Sequence, residues 1–139
     1  MVKLKIVKEW FTNGDKDIKN AEFLFKGGRD LETVAFHIQQ AAEKYLKGFL
    51  IAQGKELAMI HDLVTLLRNA IEADPEFIQF KDAVKQITNF YFESRYPMGY
   101  KVEYARGEIK TAIAQVNGLI ALIEHKVGKR RPRKRKTRS

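Results

Sequence analysis

The stretch LETVAFHIQQAAEKYLKGFLIA, residues 31–52, decides how the rest of the chain is read. Its residues Leu31, Val34, Ala35, Ile38, Ala42, Tyr45 and Phe49 recur at i, i+3/i+4 and i+7, the spacing of one helix face. Asp30 stands just before it as an N-cap candidate, and Gly54 just after it as a stop. The other side is unusual for a surface helix. At about 100° per residue, Phe36, Gln40, Glu43 and Lys47 form a second stripe flanked by Leu50 and Ile51. A helix that is apolar on two sides needs cover on both. A second subunit on Phe36, Leu50 and Ile51 is the expected cover, so a homodimer is predicted. The competing reading is a solvated face on which Glu43 and Lys47 form an i,i+4 pair worth roughly 0.2–0.5 kcal/mol.

Working outward, Val7, Trp10, Phe11, Ile18, Ala21, Leu24 and Phe25 trace an earlier helix that stops at Gly27–Gly28. A short third helix follows His61–Asp62, with Leu63, Leu66, Leu67 and Ala70 on its apolar side. Pro75 suits the first turn of a fourth, carrying Phe77, Phe80, Val84, Ile87 and Tyr91. Pro97 and Gly99 interrupt the pattern, and a fifth helix runs through Ala105, Ile109, Ala112, Val116, Leu119 and Ile123. The alternation in VKLKIV, residues 2–7, is compatible with a short strand, but no second strand offers itself for pairing. The predicted fold is all-α: an antiparallel four-to-five-helix up-and-down bundle with short loops, occupying residues 1–125.

The chain of 139 residues has a formal charge of +9. Residues 126–139 hold nine Lys/Arg and no acid, so 1–125 carries 17 basic and 17 acidic residues and is neutral. The object is a neutral globule with a cationic tail, and self-repulsion without apolar periodicity predicts a disordered tail. Clustered Lys/Arg attract polyphosphates through counterion release, so the tail is a candidate for nucleic-acid binding. An anionic membrane surface or an acidic patch on a partner would serve it equally.

There is no cysteine, hence no disulfide, thiolate nucleophile or Cys-ligated zinc site. The start MVKLKIVKEWF never reaches the apolar run of roughly 7–15 residues of a secretory signal. FLIA and LIALI fall far short of the ~20 residues of a membrane span. A soluble cytoplasmic protein is expected. The two serines, Ser94 and Ser139, leave little material for a Ser-His-Asp triad, and no phosphate-binding glycine motif occurs. His37, His61 and His125 lie far apart without metal-ligand spacing, so neither a metal nor a cofactor is implied.

Two further residues invite a role. Asp17 falls within the apolar stripe of the first helix, where an unpaired carboxylate is costly, so it should have a partner such as Lys44, His61 or Arg95. That pairing is structural or part of a functional site. His61 reads as a helix-start residue ahead of Asp62, or as a catalytic histidine. In ITNFYFESRYPMGYKVEY, residues 87–104, Phe90, Tyr91 and Phe92 read as core, while Tyr96, Tyr100 and Tyr104 are the rings expected at the surface.

FHIQQAAEKYLKGFLIAQGKE (36–56), with HDL (61–63), ESRYP (93–97) and DKDIKNAEFLF (15–25), resembles the HEPN family (higher eukaryotes and prokaryotes nucleotide-binding). The likeness spans residues 7–123. It implies an antiparallel helical bundle, usually a homodimer, with a cleft lined by the second and the last two helices. It also implies a minimal nucleotidyltransferase as partner, often encoded next door. Many members are ribonucleases, toxin components among them, with an Arg-x4–6-His motif in which arginine stabilises phosphate charge and histidine assists the 2′-hydroxyl. Here the pattern departs: Arg95 is followed by YPMGYKVEY, with Tyr100 five residues on and no histidine before His125. Tyrosine, with a pKa of about 10, is a poor general base, so no catalytic residue is assigned. What carries over is nucleotide or RNA binding, with Arg95 gripping phosphate, Lys44 and Lys47 adding charge, Tyr96 and Tyr100 stacking, and Asp17 and His61 nearby. The rivals are a ribonuclease with a displaced base, such as His61 or a residue of a second subunit, and a purely structural interaction module.

Overall fold

The computed structural model describes residues 2–28, 30–56, 62–95 and 104–128, with side chains for 4–28, 30–56, 62–89 and 104–128. Five α-helices follow one another: α1 (Val2–Lys26), α2 (Leu31–Ala52), α3 (Leu63–Ala73), α4 (Lys81–Arg95) and α5 (Arg106–Val127). A 3-10 segment, Pro75–Phe80, precedes α4. The all-α bundle expected from periodicity is present. VKLKIV is not a strand: residues 2–7 are the first turns of α1.

The helix starts are written locally. Asp30 accepts from the Glu32 N–H at 3.1 Å and the Thr33 hydroxyl at 2.8 Å. Asp62 does the same for Val64 and Thr65, at 3.2 and 2.8 Å. Both are Asx caps that satisfy N–H groups the first turn leaves open. Asp74 caps the 3-10 segment through Glu76, with Pro75 at its start. The fourth helix is therefore shorter than its pattern suggests, and the tighter 3-10 turn inserts Phe77 against Phe49, ring centroids 4.7 Å apart.

α2 is the central helix and packs on α1, α3, α4 and α5. Its second apolar side is covered from within the same chain: Leu50 and Leu46 are fully buried in the core. The expectation that Leu50 faces a second subunit is thus corrected. A helix surrounded by four others is apolar nearly all round without any dimer. Of the three residues named for that face, Phe36 is the exposed one, and Ile51 packs partly against the core.

α1 runs antiparallel to α2, and two glycines set how closely they approach. The Phe11 and Tyr45 rings stack at 4.7 Å and 10°. Gly14 of α1 lies under Tyr45, and Gly48 of α2 lies under Phe11. A Cβ at Gly14 would fall 2.6 Å from Tyr45 Cδ2, and one at Gly48 2.6 Å from Phe11 Cε1. Each helix thus gives up a side chain where the other inserts a ring.

α5 is fastened at both ends. The Arg106 guanidinium donates to the Phe25 carbonyl at 3.1 Å and lies over the Phe25 ring. Gln86 of α4 donates to Glu108 in its first turn at 2.6 Å. At the other end Lys126 meets Asp74 and Glu76, each at 2.7 Å. The hydrogen bond from Lys126, followed by that from the Glu76 N–H, holds the Asp74 carboxyl below its ordinary range, and Asp74 and Glu76 raise Lys126 in turn. The folded body therefore reaches past 125, the end expected for it, and Lys126 belongs to the helix; Gly128, at φ 85°, caps it.

Gly48→Ala and Gly14→Ala test the interlock. Alanine gains about 1 kcal/mol of helix propensity over glycine, but overpacking a core costs about 1–3 kcal/mol. Buried, stacked rings have little room to move, so both variants should lower the urea midpoint, each by a net loss of up to about 2 kcal/mol. A higher midpoint would mean that the helices do not touch there.

Candidate functional site

The α1–α2 seam carries a polar cluster within this apolar frame. Asp17 faces α2 two positions past the pair Asp15–Tyr45, and its side chain is only 10% exposed. Lys44 Nζ donates to Asp17 Oδ2 at 2.6 Å, and His37 Nδ1 lies 2.9 Å from Asp17 Oδ1. His37 and Lys44 are seven residues apart on α2, two turns on one face, so a single carboxylate reaches both. A carboxylate this buried is stable because both of its oxygens are engaged by a charged or polar donor. The partners are less enclosed: the Lys44 side chain is 27% exposed and that of His37 22%.

The arrangement has a chemical consequence. With Asp17 ionised, its oxygen accepts from Nδ1–H, which places a proton on that nitrogen; in the neutral imidazole Nε2 is then the acceptor. Phe36, half open to solvent, meets the His37 ring edge-on at 5.6 Å. The seam thus offers a lysine charge, an oriented imidazole and an exposed aromatic ring on neighbouring turns of α2.

A second polar run lies beside the first. Gln40 donates to Gln39 at 2.8 Å, Gln39 to Glu43 at 3.2 Å, and Lys47 pairs with Glu43 at 2.9 Å. Lys47 is buried, its ammonium 5.2 Å from the centre of the Trp10 ring. The role expected of Lys47, a charge open to phosphate, does not fit this setting: Glu43 and Trp10 already hold it. Tyr45, fully buried, donates to Asp15 at 2.5 Å and lies 3.3 Å from Glu124. Among the described residues no three His, Asp or Glu side chains converge as a metal cage requires.

Of the residues singled out from sequence, Asp17 and Lys44 come together as expected. His37 was missed as the second partner of Asp17; its i,i+7 relation to Lys44 was the available signal. Arg95 closes α4 as its last residue. The Arg95 side chain, and His61, Tyr96 and Tyr100 altogether, lie outside the described residues, as do the side chains of Phe90, Tyr91 and Phe92. Tyr104, expected at the surface, is partly buried against the core.

A family model, the HEPN domain, matches residues 7–126. The chain belongs to the HEPN family. The fold agrees with the crystal structure of an archaeal HEPN homologue at a TM-score of 0.70 and 25% identity, over 87% of this chain and 97% of that one. A search among curated proteins found no match. Among the described residues of this HEPN protein, no helix is long and apolar enough to cross a membrane.

Asp17→Asn keeps the shape and removes the charge. It should cost about 1–3 kcal/mol in urea unfolding at neutral pH, below the ~3–5 kcal/mol of a fully buried pair because Lys44 and His37 can rehydrate. Wild-type stability in this variant would show that the seam does not depend on the carboxylate.

Proposed function

We propose that this HEPN protein binds a nucleotide or RNA and works as the accessory subunit of a minimal nucleotidyltransferase, in a toxin–antitoxin-like pair. The observation that carries the reading is the Asp17–His37–Lys44 cluster: a buried carboxylate orients two partly open donors on the central helix of the family's bundle. Lys44 would meet phosphate as a point charge, Phe36 would border the base, and Arg95, at the end of α4, would grip phosphate bidentately. Tyr96, Tyr100 and His61 complete the proposed site. A homodimer belongs to the same proposal, as does a cytoplasmic setting; the exposed Phe36 is the part of the expected contact face that supports self-association.

A second reading, the ribonuclease with a displaced base, is favoured by one observation. His37, oriented through Nδ1 by Asp17, has the geometry of a general base, its Nε2 able to take a proton from a ribose 2′-hydroxyl. His37 suits that role better than the His61 expected from sequence, whose place is not described.

Calorimetry with ATP, GTP and a short RNA tests the first reading. Wild type should release heat with at least one of them, and Lys44→Ala and Arg95→Ala should each weaken binding at least about 10-fold, the loss of one charge-assisted contact of roughly 1.5–3 kcal/mol. No heat from wild type, or none lost in either variant, would remove the site. Labelled RNA separates the two readings: cleavage that disappears in His37→Ala, with binding retained, selects the enzyme.

A further inference from the structure

With residues 2–7 helical, α1 presents one continuous outer face that the bundle does not use. Lys5, Lys8, Thr12, Lys16, Lys19, Phe23 and Lys26 fall within an arc of about 80° and along roughly 32 Å of the helix axis. All seven are exposed, Phe23 by 77%. No ion pair engages any of the five lysines among the described residues. Glu9 is the nearest acid on one flank; on the other, Asp15 and Glu22 are occupied by Tyr45 and Asn117. A shallow open groove borders the first half of the stripe, lined by Lys5, Lys8, Glu9, Thr12 and Asn13.

We propose that this face is a track for single-stranded nucleic acid, its lysines meeting successive phosphates and Phe23 stacking on an unpaired base. The body of the chain is neutral overall, so five lysines on one face without an ion pair among the described residues are a local concentration, not general basicity. A row of point charges with one aromatic ring is the pattern that follows a flexible phosphodiester strand without reading its sequence. Two other occupants fit less well. A membrane-surface helix needs a broad apolar face, and that of α1 is already buried against α2; the apolar side chains it leaves exposed, Leu4, Ile6 and Phe23, lie on different sides of the helix. A second copy docked through the same patch would set lysine against lysine. The track is separate from the Asp17 cluster and does not depend on it.

The test is fluorescence anisotropy of full-length protein with labelled 20-nucleotide RNA and DNA strands, from about 50 to 300 mM KCl. Replacing Lys8, Lys16 and Lys19 together by serine should lower the slope of log affinity against log salt by about 2, at roughly 0.7 per phosphate contact on a single strand. Phe23→Ala should weaken binding about 5- to 100-fold with the slope unchanged. The substituted side chains are exposed, and circular dichroism would confirm that both variants remain helical. Wild-type affinity and slope in both variants, with binding lost on replacing the Lys/Arg of residues 129–138, would assign all the affinity to the tail and overturn the proposal. So would a wild type that ignores both strands yet sediments with phosphatidylserine vesicles in a Phe23-dependent way. The Lys8/Lys16/Lys19 variant should keep whatever heat wild type releases with ATP or GTP, ligands too short to follow the stripe, so failure of the track and failure of the nucleotide site remain distinguishable.

Discussion

The close approach of α1 and α2 is the constraint on which the remaining structure depends. Two glycines, one on each helix, leave room for the stacked rings of Phe11 and Tyr45, and neither could carry a Cβ without meeting a buried ring. That approach brings Asp17 within hydrogen-bond reach of His37 and Lys44 one to two turns along. A wider separation would leave a carboxylate facing apolar neighbours with no donor, an arrangement that costs several kcal/mol or ends in protonation. Packing and electrostatics are therefore one feature here.

Because α2 sits at the centre, its surface is divided among four neighbours. The strips left over are polar and each has its partners: Gln40, Gln39, Glu43 and Lys47 bond along one, and His37 and Lys44 on the other meet Asp17 of α1. The first is closed by burial and by Trp10. The second stays open at its lysine and histidine, and that difference in access separates a structural network from a candidate site. It is also why the proposed phosphate contact is assigned to Lys44 and not to Lys47, three residues away with the same charge.

Much of the architecture could be read from local rules. Asp30 and Asp62 each precede an apolar helix and have a threonine three residues on, and both act as caps; the apolar stripes of α1, α2 and α5 hold core positions such as Val7, Phe11, Ile38, Tyr45, Ile109 and Ile123, while Trp10, Leu24, Phe25 and Leu31 are partly buried and Ala105 is exposed. That Asp17 needs a partner followed from the cost of burying a lone carboxylate, with Lys44, His61 and Arg95 as candidates; the fold selects Lys44 and adds His37. What escaped the sequence depended on neighbours far away in the chain. Leu50 looked external because helical angles locate a residue on its own helix but say nothing about how many helices surround it. Residues 2–7 alternate with period 2 and satisfy a helical face equally well, a choice that packing of Val7 and Phe11 against α2 resolves. Lys126 looked like the first residue of the tail by charge alone, yet its position opposite Asp74 and Glu76 makes it the last fastening of the bundle. The lysine stripe lies opposite the apolar side by which the first helix is recognised, and Lys5 joins it only once residues 2–7 are helical.

Nitrogen-15 NMR of the His37 imidazole, at a pH where it is neutral, reads out whether the glycine–ring interlock places Asp17 so as to orient His37. An unconstrained histidine favours the Nε2–H tautomer, whereas a carboxylate accepting from Nδ1 selects Nδ1–H. The prediction is an Nδ1–H His37 in the wild type that reverts toward Nε2–H when Gly48 is replaced by alanine. An Nε2–H tautomer in the wild type, or an Nδ1–H tautomer indifferent to the substitution, would contradict it.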